Sequence, residues 1–370
     1  MKLLIDHQAF SIQQYGGISR IFTELIKNKN ENVVIQTPHF YLDNEYFTNL
    51  KYKKHISIYK FSNRFFSRII KNLLPIINNL YTWIYTSFQS YDIYLPSYYD
   101  IYLLNKIKPT PMVLFVYDMI HEKYPEFFSK STVSSNKFLL MKEACKIIAI
   151  SHNTKNDILE LYPQISSEKI EVIHLSDSLV SVINEKLLTK IPHEYILYVG
   201  TRKNYKNFTT LYKAYKSIHE EYPHIKLLCI GGGNFSRVEL KEFEMDSLND
   251  CIIQLNVDDS DLYTVYNRAL VFVFPSLYEG FGIPVIEAMK SGCPIILGRL
   301  SSFPEIAEEA GIYCNITNPI ELSTTILKVI QDKVYRNEFI ARGKVQSEKF
   351  SWSKTAEKTF QVCQSVIKDC

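Results

Sequence analysis

Short runs of aliphatic and aromatic residues, each followed by residues at helical spacing, recur along almost the whole chain. They read as strands at Lys2–Asp6, Val33–Thr37, Ile93–Leu95, Met112–Tyr117, Ile147–Ile150 and Ile170–His174. The series restarts at Tyr195–Val199 and continues through Lys226–Ile230, Ile252–Leu255, Val271–Phe274 and Pro294–Leu297. Runs that are apolar throughout suit strands covered on both faces. Strands alternating with helices pair in parallel, because a parallel return requires a crossover. The polar stretch Ser176–His193, ending in Ile191-Pro192-His193, separates the series and reads as a linker. The expected fold is α/β, with two doubly wound Rossmann-like domains facing across a cleft. They span residues 1–180 and 190–352, and a closing helix over 353–370 packs back toward the first domain. Ligands of such sheets sit outside the carboxyl ends of strands, so chemistry is expected in the cleft.

Composition narrows the function. With 46% hydrophobic and 22% charged residues the chain is neither disordered nor a disulfide scaffold. A net charge of +3 is too small to support a nucleic-acid binder, so no nucleic-acid partner is expected. The cysteines are odd in number, scattered and without a CxxC pair, which points to a reducing compartment. The amino terminus, Met1-Lys2-Leu3-Leu4-Ile5-Asp6, has no signal-peptide core. The longest apolar stretches, Met112–Tyr117 and Leu270–Pro275, fall far below the roughly 20 residues that span a bilayer. The expected location is cytoplasmic, either soluble or peripheral at the inner face of the cell membrane. An aromatic content of 14% suggests stacking or membrane-interface surfaces beyond what a core requires.

The most informative segment runs from Phe274 to Met289. A buried strand ends at Pro275, a loop carries Gly280 and Gly282, and Pro284 stands where a first helical turn accepts it. Glycines there let backbone approach a ligand closely, and the free N–H groups of a helix start suit a diphosphate. Glu279 in the loop and Glu287 about a turn inside the helix offer two carboxylates that can accept from sugar hydroxyls.

Glu279, seven intervening residues and Glu287, within Ser-Leu-Tyr-Glu-Gly-Phe-Gly-Ile-Pro-Val-Ile-Glu-Ala-Met, resemble the signature of the retaining glycosyltransferases of family four, which have the GT-B fold. Tyr198–Asn207, Ser301–Glu305 and Phe350–Ala356 resemble further segments of that family. The resemblance implies that Glu287 binds the ribose and Glu279 the transferred sugar, with Gly280, Phe281, Gly282 and Ile283 against sugar and phosphate. It implies that Arg202 and Lys206 meet the donor diphosphate. As a planar fork and a point charge, they suit a leaving group whose charge grows in the transition state. Gly16 and Gly17, before a helix with Ile18, Ile21, Phe22, Leu25 and Ile26 on one face, match the family's loop at donor phosphate and acceptor.

Asp118 matches an acceptor-side or sugar-contacting residue. Tyr117 stands where relatives often carry a histidine, and His121 is the runner-up for that role. Asp259-Ser260-Asp261 spells a metal-binding pattern of another fold, but its place before the helical stretch Leu262–Leu270 favours capping, and no metal is expected. Gly231-Gly232-Gly233 lacks the spacing of a dinucleotide fingerprint and reads as a tight turn near the nucleotide. No acidic residue occurs from Tyr46 through Tyr91, and residues 51–73 pattern as a basic amphipathic helix suited to an anionic membrane surface.

The expected activity is retaining, metal-independent transfer of a hexose from a nucleoside-diphosphate sugar, a co-substrate rather than a cofactor, to a saccharide or lipid-linked saccharide in surface polysaccharide synthesis. The glycine-pair loop leans toward a GDP-mannose-like donor. A nucleotide-sugar epimerase of the same architecture and a non-catalytic sugar-nucleotide-binding subunit are the alternatives.

Overall fold

The structure, a computed structural model, describes residues 1–50, 64–128, 131–202 and 204–369; for residues 64–72 and 369 the description extends to the helix backbone. Two compact units divide the chain, residues 1–175 with 352–370 and residues 176–351.

In the first unit, β1 (Lys2–Ile5), β2 (Val34–Gln36) and β3 (Ile93–Leu95) pair in the order β2-β1-β3. β4 (Val113–Val116), β5 (Lys146–Ala149) and β6 (Ile170–Val172) pair in the order β4-β5-β6. A parallel bridge between Tyr94 and Met112 links the two sets. The second unit holds β7 (Tyr195–Val199), β8 (Lys226–Ile230), β9 (Ile252–Leu255), β10 (Val271–Phe274), β11 (Ile295–Leu297) and β12 (Gly311–Tyr313). They form one parallel sheet in the order β12-β11-β10-β7-β8-β9. The sequence pattern finds every strand but β12, whose Gly-Ile-Tyr is too short and too glycine-bearing to register as an apolar run.

The stretch expected to be a linker is fastened to the second unit. Asn184 caps the helix Glu185–Leu188, donates from its side-chain amide to Asp261 at 2.7 Å and from its backbone N–H to Thr264 Oγ1 at 2.8 Å, while Lys290 holds Asp177 at 2.8 Å. The helix Trp352–Asp369 belongs to the first unit, where it buries Ala356, Phe360, Cys363 and Val366 and anchors Thr355 Oγ1 on the His174 carbonyl at 2.7 Å.

Tyrosines account for much of the core. Tyr195 and Tyr215 are fully buried, and their hydroxyls donate to the carbonyls of Val265 at 2.6 Å and Ile225 at 2.9 Å. A buried phenol with its hydroxyl satisfied contributes apolar area at little polar cost. Much of the aromatic content therefore serves packing rather than surface stacking. The basic stretch at 51–73 lies outside the described residues up to residue 63, and from 64 its backbone is the start of the helix Arg64–Tyr85.

At the carboxyl ends of β1 and β3 the first unit encloses a carboxylate. Asp6, fully buried, accepts from Ser97 Oγ at 2.5 Å, Tyr94 Oη at 2.6 Å, Gln8 Nε2 at 2.6 Å and the Ser97 N–H at 3.1 Å. These neutral donors, from segments about ninety residues apart in sequence, fix the two strand ends together. Asp6→Ala strands all of them without an acceptor and is expected to cost about 3 kcal/mol. Urea unfolding followed by a probe in the first unit reads that loss, and Asp6→Asn, which keeps an acceptor oxygen, is expected to lose less.

Candidate active site

Strand order locates the site before any side chain is considered. β7 neighbours β10 on one side and β8 on the other, so the chain leaves β7 and β10 in opposite directions and the loops beyond their carboxyl ends part to form a crevice. Those loops are residues 200–207 and 275–282. They are stitched together where the Leu277 N–H donates to the Tyr205 carbonyl at 2.7 Å.

Lys206 and Glu279 meet there as a hydrogen-bonded ion pair, their side chains 15% and 16% exposed. The Lys206 ammonium also lies 5.2 Å from the ring centroid of Tyr205 and 5.3 Å from that of Phe274. Ser301 and Ser302 fix the loop that presents Glu279. Ser301 Oγ donates to the Glu279 carbonyl at 2.5 Å and accepts its N–H at 3.1 Å; Ser302 Oγ reaches the Glu279 and Phe281 carbonyls at 3.0 and 2.7 Å. Gly282 ends the loop at φ +107° and opens the helix Ile283–Lys290, with Pro284 in its first turn. That backbone region penalises any Cβ, so the turn itself demands glycine. Gly280, Phe281 and Ile283 complete the turn, Phe281 buried against the Phe350 ring. Glu287, on the same helix, is buried and accepts from Tyr266 Oη at 3.1 Å.

Arg202 takes other partners than Lys206. Its guanidinium, the side chain 3% exposed, donates to Glu239 at 2.7 Å and to the carbonyls of Gly231, Gly233 and Asn234 at 3.2, 3.0 and 3.1 Å, over the ring of Phe235. In the structure the two cations hold different carboxylates, and Arg202 organises the glycine turn after β8. Gly231, Gly232 and Gly233 all have φ near +70°. A Cβ on Gly232 would stand 2.7 Å from the Gly200 carbonyl, so the turn packs directly on the loop after β7. Burial pushes the Glu239 carboxyl up, but the N–H and hydroxyl of Ser236 and the Arg202 guanidinium outweigh it and hold it below its ordinary value.

The remaining predicted residues belong to the first unit. Gly16 is extended, and Gly17 is the first residue of the helix Gly17–Lys27, which buries Ile21, Phe22, Leu25 and Ile26. Asp118 accepts the Ile120 N–H at 3.1 Å and faces the fully buried Lys137, whose ammonium donates to the Asp118 carbonyl at 2.8 Å and to Glu122 at 2.9 Å. Tyr117 is a core residue, its ring stacked on Phe115 and its hydroxyl on the Ser97 carbonyl at 2.9 Å. His121 packs 4.2 Å from the Phe128 ring, and burial, helped by Lys137 and opposed by Asp118 and Glu122, lowers its pKa. Asp259 and Asp261 stand in the first turn of the helix Asp259–Arg268, which starts three residues earlier than the apolar pattern suggests. Its N-cap is Asp258, which makes no side-chain capping bond, so these acids act on the helix dipole and on Asn184 rather than as caps.

Sequence reasoning passes over Glu239, Tyr266 and Lys137, and marks Ser301 only as part of the segment Ser301–Glu305. Only the first leaves a signal, since Ser236-Arg237-Val238-Glu239 spells a capping box and the structure forms one.

Parallel, doubly wound sheets in both units, with a polar site at the switch point of the second, define the GT-B class. Solved structures of that architecture match nearly the whole chain. Sucrose-phosphate synthase from Thermosynechococcus elongatus superposes with a TM-score of 0.77 at 18% identity, covering 100% of each chain. Anabaena HepE, in complex with UDP-glucose, does so at 0.74 and 17%, covering 99% of this chain and 100% of that one. Residues 182–346 match the family of glycosyl transferases group 1. Among its relatives, O-antigen chain mannosyltransferase B of Escherichia coli is 28% identical over 290 residues, 75% of each chain. The serotype-specific mannosyltransferase WbdA of Escherichia coli is 28% identical over 237 residues, which are 60% of this chain and 29% of that much longer one.

The Glu239 arrangement predicts a pH dependence. A carboxyl held below its ordinary 4.5 stabilises the fold fully above that value, and the contribution is lost as pH falls through the lower folded value. Glu239→Gln is therefore expected to be less stable than the parent at neutral pH, with the gap closing in acid. Paired thermal melts across that range measure it.

Proposed function

We propose that the protein transfers a hexose from a nucleoside-diphosphate sugar to a saccharide hydroxyl with retention of anomeric configuration and without a metal. The observation that carries this reading is the Lys206–Glu279 pair at the switch point of the second sheet, beside a glycine turn that opens a helix. An incoming diphosphate competes with Glu279 for the ammonium and adds the amide groups of the helix start. The carboxylate so released accepts from the hydroxyls of the sugar and orients it. Lys206 then stabilises the charge that grows on the departing diphosphate, which helps deprotonate the incoming hydroxyl on the same face. Glu287 accepts from the ribose. Arg202 acts one step back, holding the glycine turn after β8 and its positive charge beside the same edge.

The mannosyltransferase relatives support a mannosyl donor and O-antigen-type polysaccharide as the setting. The acceptor end of the reaction suits the first unit, where Ser11, Gln13, Gln14, Asp43 and Asn78 line a pocket of about 240 Å³ close to the carboxyl end of β1. Gln13 brings to it a buried amide oxygen that has no hydrogen-bond partner among the described residues.

Lys206→Ala is expected to lower turnover by about 10²–10³-fold, the usual cost of removing one preorganised group from developing charge. Arg202→Ala is also expected to lower turnover, and Glu287→Ala to weaken donor binding. Transfer assays with each purified variant read the first two, and undiminished turnover in both Lys206→Ala and Arg202→Ala defeats the reading. Thermal shift against uridine, guanosine, thymidine and adenosine diphosphates identifies the base, with guanosine expected, and the anomeric signal of the product tests retention. The same assay separates the rival activities: an epimerase inverts a ring carbon without an acceptor, and a binding subunit holds donor without transferring it.

A further inference from the structure

From residue 73 onward the helix Arg64–Tyr85 is packed inside out. Its inward face is polar: Asn78 is 1% exposed and Thr82 0%. Asn78 accepts the N–H groups of Phe40 and Tyr41 at 2.8 and 3.0 Å and donates to the Tyr41 carbonyl at 2.8 Å; Thr82 donates to the Pro38 carbonyl at 2.9 Å. Its outward face is apolar: Ile76 is 63% exposed, Leu80 58% and Trp83 46%, continuing to Phe88 at 80% just beyond the helix. Leu73 and Ile84 extend the same face. A surface helix normally does the reverse, and an apolar stripe turned outward along several turns marks a surface that meets something other than water.

Charge identifies what it meets. No charged residue occurs from Asn72 to Tyr91, and every charged residue between Tyr46 and Tyr91 is lysine or arginine, all at or before Lys71. An uncharged, Trp- and Tyr-bearing face continuing from a purely cationic segment matches a bilayer whose headgroups are anionic and whose boundary with the acyl chains accepts aromatic rings. Lys106, 4.2 Å from the Trp83 ring centroid, adds a cation at the rim. Among the described residues no helix is long and apolar enough to cross a membrane, so the helix would lie in the interface rather than span it.

We propose that the outward face of the helix Arg64–Tyr85, from Leu73 through Trp83 to Phe88, docks the protein on an anionic lipid bilayer. The test is flotation of the purified full chain with vesicles of phosphatidylcholine and phosphatidylglycerol, and with phosphatidylcholine alone. We expect binding to the anionic vesicles and little to the neutral ones. The combined variant Ile76→Asn, Leu80→Asn, Trp83→Ser, all at exposed positions, is expected to melt like the parent and to lose about tenfold or more of vesicle binding, the scale set by withdrawing three apolar side chains. Trp83 also reports directly, because the other tryptophan, Trp352, is buried. Its emission is expected to shift to the blue on adding anionic vesicles, and Trp83→Phe to abolish the shift while retaining flotation. The proposal is overturned by absent vesicle binding, by binding that the combined variant leaves intact, or by a dimer of the parent chain that the variant dissociates, which would make the face a protein interface. Because none of these readouts involves sugar transfer, failure here leaves the donor-site reading untouched.

Discussion

A lysine and a glutamate 73 residues apart in the chain face each other because the two parallel strands that lead into their loops are neighbours. The register of β7 on β10, Ile196 against Val271 and Leu197 against Phe272, brings both strand ends to one level. From there the loops need only a few residues to bring Lys206 onto Glu279. The pair is partly shielded, so its mutual attraction is stronger than at an open surface, yet both groups keep enough exposure to exchange partners. Each side chain holds the other in a narrow range of positions.

The carboxyl edges of the two units solve the same problem with different chemistry. In the first, the buried Asp6 takes its stabilisation from hydroxyls, an amide side chain and backbone N–H groups, which fix strand ends rigidly. In the second, the carboxylates of Glu279 and Glu239 each hold a cation. Neutral donors around a carboxylate have no reason to leave it. A cation paired with a carboxylate can also pair with another anion, and in this the two switch points differ.

Strands and site differ in how far the sequence discloses them. Runs such as Tyr195–Val199 and Val271–Phe274 are legible because burial on both faces leaves an unbroken apolar word, and the structure begins and ends those strands where the pattern does. Gly282 and Pro284 are legible because a left-handed turn followed by a helix start admits few residues. The direction of Arg202 is not, because an arginine fork satisfies a phosphate and a set of backbone carbonyls equally well. Which it meets depends on a turn at Gly231–Asn234, twenty-nine or more residues away. Lys137 is hidden for a related reason. A lysine in a helix reads as a solvated charge unless its partners, here the Asp118 carbonyl and Glu122, are known to converge on it.

The inside-out helix extends the same reasoning to the surface. Periodicity reveals that a helix has two faces but not which one turns inward, since either an apolar face or a fully hydrogen-bonded polar one can be buried. Here the polar face wins because Asn78 and Thr82 supply the Pro38–Tyr41 segment with donors and an acceptor that its irregular backbone lacks. Burying the apolar side against that segment would leave those carbonyls and N–H groups unpaired, a larger penalty than exposing several aliphatic side chains that a second, non-aqueous environment can cover. The orientation is thus fixed by the backbone it serves on one side, and the composition of the other side follows from whatever that orientation leaves facing out.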